Sequence, residues 1–352
     1  MLQFVRLQSQ KVTVMNRLQR TPRHLFIVAG LIAYSTTPLA DHGSMGFGIG
    51  TASPIVTQTG VTLPTGMWAG GVIAQYIDFK STSDQQLLDA QSVHGDVHSV
   101  YTYLQPSLFA AYGVTDDLSL GLRIPYVLRS GVHSPSGEAG EEGNTINHLG
   151  DPSGFGDVSL FGQYRFFHTQ DNLNHASLVV GLKTPTGATG VKTALGDPFE
   201  LHHQPGSGSW DPSFGLSFTR AMGQFSFDTS VLYTIATQGA QQTTLGDVFD
   251  YNIAVSYAFG APARNALFAS SNNAPWTAVL ELNGTRREHQ IASGITDPNS
   301  GGNSVYISPG VRYSGGKNWN TALSFGVPIV NDPNGYQTNP DYRIVYRFVV
   351  AF

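Results

Sequence analysis

Apolar and polar residues alternate along most of this chain with a period of two. In the last twelve residues, Tyr342, Ile344, Tyr346, Phe348, Val350 and Phe352 share one face, and Asp341, Arg343 and Arg347 fall on the other. Successive side chains of a strand point to opposite faces, so this segment offers lipid an apolar stripe and something wet its charges. That is the pattern of a transmembrane β-barrel strand. The alternation is equally clear in residues 118–128, 225–235, 249–259 and 319–329. It is weaker in 67–79, 99–112, 155–167, 176–186, 210–220, 276–286 and 304–313. The expected fold is therefore all-β, a transmembrane antiparallel up-and-down β-barrel of about twelve strands.

The connections alternate too. Long stretches at 80–98, 130–154, 187–209, 237–247, 287–303 and 331–339 take turns with short ones at 113–117, 168–175, 221–224 and 314–318. Short periplasmic turns and longer extracellular loops have this asymmetry. The stretch 260–274, of middling length, is the exception: a wide turn or a slip in the strand count.

The start of the chain agrees with the location this implies. Arg20 and Arg23 precede an apolar run at 25–34, and small residues lead to Ala40. This reads as a signal peptide over residues 1–40, since the run falls short of the roughly 20 residues a spanning helix needs. Residues 41–66, rich in Gly, Ser and Thr, are too irregular for a strand. They are expected to fold into the lumen and obstruct it, because a segment beside a polar cavity finds partners there for its backbone groups. Residues 67–352 then form the barrel. The terminal Phe352 resembles the sorting signature that the outer-membrane assembly machinery reads.

Composition narrows the field. Only 12% of residues are charged, 40 are Gly, 11% are aromatic, and there is no Cys. Disulfides and lipid-modified cysteine are excluded, and any metal site must use His, Met or carboxylates. Without residues 1–40 the chain carries 14 basic and 24 acidic residues, a formal charge of −10, which argues against a nucleic-acid partner. The expected surroundings are the outer membrane of a Gram-negative bacterium, with lipid, lipopolysaccharide, the assembly machinery and a small-molecule solute as partners.

If the apolar stripes face lipid, the opposite faces carry Arg123, Arg129, Asp157, Arg165, Lys183, Asp228, Asp250, Glu281, Arg312, Asp341, Arg343 and Arg347 into the lumen. Arg near the bilayer midplane costs roughly 2–4 kcal/mol, so these groups line a hydrated path or pair with one another. Pro125, Pro185 and Pro328 stand inside or at the end of strands, where a missing donor breaks the ladder. Such breaks are either rim bulges or lateral exits for an apolar solute.

Several phrases together resemble the MetA-pathway of phenol degradation family of transporters. They are Leu63-Pro64-Thr65-Gly66-Met67-Trp68, Gly121-Leu122-Arg123-Ile124-Pro125-Tyr126, Gly154-Phe155-Gly156-Asp157-Val158-Ser159-Leu160, Gly181-Leu182-Lys183-Thr184-Pro185-Thr186-Gly187 and Gly206-Ser207-Gly208-Ser209-Trp210-Asp211-Pro212-Ser213. The resemblance covers most of the chain after residue 40. It implies an outer-membrane barrel akin to the hydrophobic-compound channels that carry an N-terminal hatch.

No set of groups has the mutual geometry of a catalyst, and Asp116-Asp117 belongs to turn chemistry. No cofactor is expected. Six histidines fall in the long connections: His94, His98, His133, His148, His202 and His203. Of these, His94, His98, His202 and His203 are candidate metal ligands, although an i, i+4 pair such as His94 and His98 needs a helix that the sequence does not promise. Three readings stand: a channel for small, apolar or aromatic solutes, a metal-linked outer-membrane protein, and a sealed structural or surface-interaction barrel.

Overall fold

A computed structural model describes residues 54–95, 97–136, 145–259, 276–315 and 319–352. The expected signal peptide and residues 41–53 lie outside these. Twelve long strands follow one another: β1 (Trp68–Phe79), β2 (Thr102–Thr115), β3 (Leu118–Ser130), β4 (Ser159–His168), β5 (Asn174–Lys183), β6 (Asp211–Met222), β7 (Phe225–Thr234), β8 (Val248–Ala258), β9 (Trp276–Arg287), β10 (Gly302–Gly315), β11 (Trp319–Pro333) and β12 (Pro340–Ala351). Each pairs antiparallel with the next, and β1 pairs with β12 from Ala69↔Ala351 to Phe79↔Pro340. The sheet is a closed antiparallel barrel with no free edge. All twelve alternating segments of the sequence correspond to these strands. The stretch 260–275 lies outside the described residues, but Ala258 pairs with Thr277 across it. It therefore joins β8 to β9 at the end of the short turns, and the strand count holds.

The burial pattern is inside out. Leu120 and Leu122 of β3, Phe214 and Leu216 of β6, Ile253 and Val255 of β8, and Leu323, Phe325 and Val327 of β11 are exposed. The alternate positions Ser119, Ser217, Ser256 and Ser324 are buried. A soluble sandwich would reverse these faces; only a lipid surround makes this one favourable. At the short-turn end the ring pairs Trp68–Tyr112, Phe225–Tyr257 and Trp276–Tyr313 stand 4.7–4.9 Å apart. Tyr76–Tyr342, Tyr126–Phe155 and Phe249–Tyr251 stand 5.2–6.1 Å apart toward the long-loop end. These two rings of aromatics are the girdles expected at the membrane interfaces.

The first long connection contains a helix the alternation did not announce, α1 (Asp84–His94). The sequence held its signal: Ser83 and Gln86 form a capping box, and Gly95 closes the other end. Only Leu87, Ala90 and Gln91 are buried, so no strong apolar stripe marked it.

Candidate functional site

Chain preceding β1 occupies the short-turn half of the barrel interior. Residues 54–63 are buried throughout, and Ile55, Val56 and Leu63 pack against the inward Ile73, Phe109, Phe161, Val279 and Val345. The segment is not in a sheet, so its backbone groups need side-chain partners, and the inward faces of the strands supply them. The Glu281 carboxylate of β9 accepts the amides of Ile55, Val56 and Thr57 at 2.9–3.2 Å. Ser230 takes the amide of Gln58, Thr219 that of Gly60 and Ser119 that of Leu63. Gln163 of β4 accepts from the Gln58 side chain at 2.9 Å and donates to the Thr59 carbonyl at 2.7 Å. Ser177 donates to the carbonyl of Gly60, and Arg347 to that of Pro54. A Cβ at Gly60 would stand 2.6 Å from the His175 carbonyl oxygen, so only glycine passes that point.

Asp116, in the turn between β2 and β3, fastens the outer end. It accepts the Thr65 amide at 2.9 Å and the Thr65 hydroxyl at 2.8 Å. These bonds, the amide first, hold its carboxyl below the ordinary 3.8. A carboxylate lowered in the folded state stabilises it above the unfolded value, and that contribution disappears as pH falls through the lowered one. Acidification below about pH 4 is therefore expected to loosen this end of the segment. Open probability in planar bilayers should rise over that interval in the wild type and stay flat in Asp116→Asn. Equal responses in the two proteins would remove Asp116 from the account.

Above the segment, on the long-loop side, lies a cavity of about 200 Å³. Gln105, Arg123, Pro125, Asp157, Lys183 and Asp211 line part of it, together with Leu232, Val248, Asp250 and Arg287. Lys183 reaches Asp211 at 2.5 Å and Asp157 at 3.6 Å and donates to Ser207 Oγ at 2.6 Å. Asp157 also accepts the amides of Gly187 and Ser207 at 2.8 and 2.7 Å. The connection between β5 and β6 is thus drawn inward to roof the cavity. Its residues Gln204, Pro205 and Ser207 line it, and Arg129 donates to the carbonyls of His203 and Gln204.

The expected lumen residues separate into three groups. Arg123, Asp157, Lys183 and Asp250 surround the cavity. Asp228, Glu281, Arg312, Arg343 and Arg347 are buried at the level of the segment or beside it. Thr219 and Ser226 donate to Asp228, and Arg343 lies over the Tyr306 ring and donates to Asn283. Arg312 donates to Thr277. Arg165 stands apart, bound at 2.7 Å to Asp117 at the short-turn rim. Asp211 and Gln204 were missed. Asp211 shares the inward parity of Ser213 and Ser217 and was readable from the alternation, whereas Gln204 sits in a loop whose path no periodicity encodes.

The three prolines also separate. Two residues of β3, Ile124 and Pro125, face three, Gly156 to Val158, so the β3–β4 ladder is bulged between Arg123↔Ser159 and Tyr126↔Phe155. Pro185 flanks the same bulge through Thr184 and Thr186, both bonded to Val158. Pro328 lies across the barrel, just past the end of the β11–β12 pairing at Gly326↔Arg343. Of the four candidate metal ligands, His98, His202 and His203 come together. His94 does not: it ends α1 with its ring 5.7 Å from that of Tyr336.

A closed twelve-stranded barrel with an apolar outer belt, two aromatic girdles and short turns at one end defines an outer-membrane β-barrel. Within that class the chain belongs to the MetA-pathway of phenol degradation family, whose model matches residues 115–348. No curated protein sequence matches it. Among solved structures it is similar to the COG4313 outer membrane channel from Pseudomonas putida F1, at 15% identity over 83% of this chain and 97% of that one, with a TM-score of 0.57. It is also similar to the Ralstonia pickettii toluene transporter TbuX, at 11% identity over 89% of this chain and 96% of that one, with a TM-score of 0.42.

Proposed function

We propose that the protein is an outer-membrane channel for small apolar or aromatic solutes, in which residues 54–66 obstruct the axial path. The observation that carries the reading is the sequence of compartments along the axis. A small cavity of mixed polarity lies on the loop side, and a buried, hydrogen-bonded segment fills the short-turn half of the same lumen. A solute entering the cavity meets Arg123, Lys183 and Asp157 with its polar atom and Leu232 and Val248 with its apolar body. The way on is either past the segment or sideways. The bulge at Pro125 and Gly156 adjoins the cavity, and both residues line it, which favours that point in the wall for an apolar solute. The family membership and the solute class named for the toluene transporter agree with this reading.

Proteoliposomes test it. Those holding the intact protein are expected to accumulate labelled phenol or toluene well above protein-free vesicles while excluding a hexose, and to show a closed baseline in planar bilayers. Removal of residues 41–66 should produce steady ion conductance. Equal passage of hexose and aromatic, or silence of both forms to ions and to solutes, would leave the barrel a general pore or a sealed structure.

A further inference from the structure

The long connections bring three imidazoles and a carboxylate to one point. His98 lies between α1 and the bridge Ser99↔His133, while Glu200, His202 and His203 lie in the connection that roofs the cavity, the two histidines on the single turn Leu201–His203. Nε2 of His98 and Nε2 of His202 are 2.6 Å apart. The ring of His203 stands 4.4 Å from that of His98 and 4.1 Å from that of His202. Glu200 Oε2 is 3.4 Å from His202 Nδ1. One ligand atom from each of the four residues fits within 4.8 Å of all the others.

We propose that His98, His202, His203 and Glu200 form a binding site for a divalent transition metal of the zinc class, which ties the first long connection to the roof of the cavity. Three imidazole nitrogens and one carboxylate oxygen suit a borderline cation such as Zn²⁺, not a hard one such as Mg²⁺ or Ca²⁺. Two ring nitrogens 2.6 Å apart share a proton, and a metal that replaces it takes a position the protein has already built. A tetrahedral zinc with ligands about 2.0–2.1 Å away holds its donors about 3.3 Å apart, so side-chain shifts of about 1 Å complete the site. The backbone around it is braced: Arg129 holds the carbonyls of His203 and Gln204, and Thr338 donates to the carbonyl of His98. Because Gln204, Pro205 and Ser207 follow directly and line the cavity, an ion here fixes the roof under which solute enters.

Calorimetric titration of the folded protein in detergent with zinc chloride tests the site. One ion per chain is expected, with a micromolar or tighter dissociation constant. Affinity should fall at least 100-fold in the double variant His98→Gln/His202→Gln, at least 10-fold in Glu200→Gln, and not at all in His94→Ala. Cobalt(II) should give the intense visible bands of a tetrahedral site in the wild type only. Heat-dependent gel mobility establishes that each barrel is folded, and His98→Gln alone must show a 10-fold loss if the double variant is not. No stoichiometric binding by the wild type, full binding by the folded double or single variant, or loss in His94→Ala would each overturn the proposal.

Discussion

Replacing Glu281 by leucine is expected to open the barrel. Its carboxylate accepts three consecutive amides, those of Ile55, Val56 and Thr57, and all four residues are buried. Hydrogen bonds to a charged group contribute about 1.5–3 kcal/mol each, and a buried donor left without a partner costs about 1–3 kcal/mol. Three such donors make insertion of the segment unfavourable by several kcal/mol relative to the wild type, enough to move a closed state to a largely open one. Glu281→Gln keeps an oxygen acceptor but loses the charge, and should lie between the two. The measurement is single-channel open probability, with at least a tenfold rise for Glu281→Leu over a wild type that is mostly closed. A leucine variant as silent as the wild type would show that the segment is held by its other contacts, and the central place of Glu281 would fall.

The second large effect concerns closure of the barrel itself. Gly71 of β1 faces β12 so closely that a Cβ there would lie 1.9 Å from the Phe348 carbonyl oxygen and 3.0 Å from the Val349 Cα. Both neighbours are backbone in a paired ladder and cannot turn aside as a side chain can. Gly71→Val must therefore break the ladder at the seam or shift its register, and a shift of one residue turns every outward side chain of β1 inward. The expected outcome is loss of the compact, heat-modifiable band on gels and failure to insert into bilayers. Gly70→Val, with its Cβ 3.4 Å from the Phe109 carbonyl, should still fold. Normal assembly of Gly71→Val would mean the seam is more pliable than its geometry implies.

These sites show where the sequence was legible. The strands were, because lipid outside and polar groups inside impose a strict period of two, and the same period placed Glu281, Asp228 and Arg347 inward. Which inward groups meet was not legible. Glu281 binds a segment that starts beside another strand, and Arg165 turned to Asp117 at the rim instead of the lumen. The loops were opaque for the same reason: α1 has no apolar stripe, and His98 reaches His202 across 104 residues by a path that follows no repeat. Composition singled out the loop histidines, and only tertiary folding separated His94 from the other three.

The segment in the lumen also bears on the order of events during biogenesis. Ile55 and the carboxylate that holds it are 226 residues apart in the chain, and Trp68, just after the segment, exchanges backbone bonds with the terminal Phe352. The first contact waits for β9 and the second for the residue after β12, and contacts that close long loops form slowly. If residues 54–66 obstruct the lumen as proposed, their docking comes late in assembly, and a nascent barrel is expected to conduct before it is quiet. A variant that docks slowly would leak during growth even if its mature form were tight.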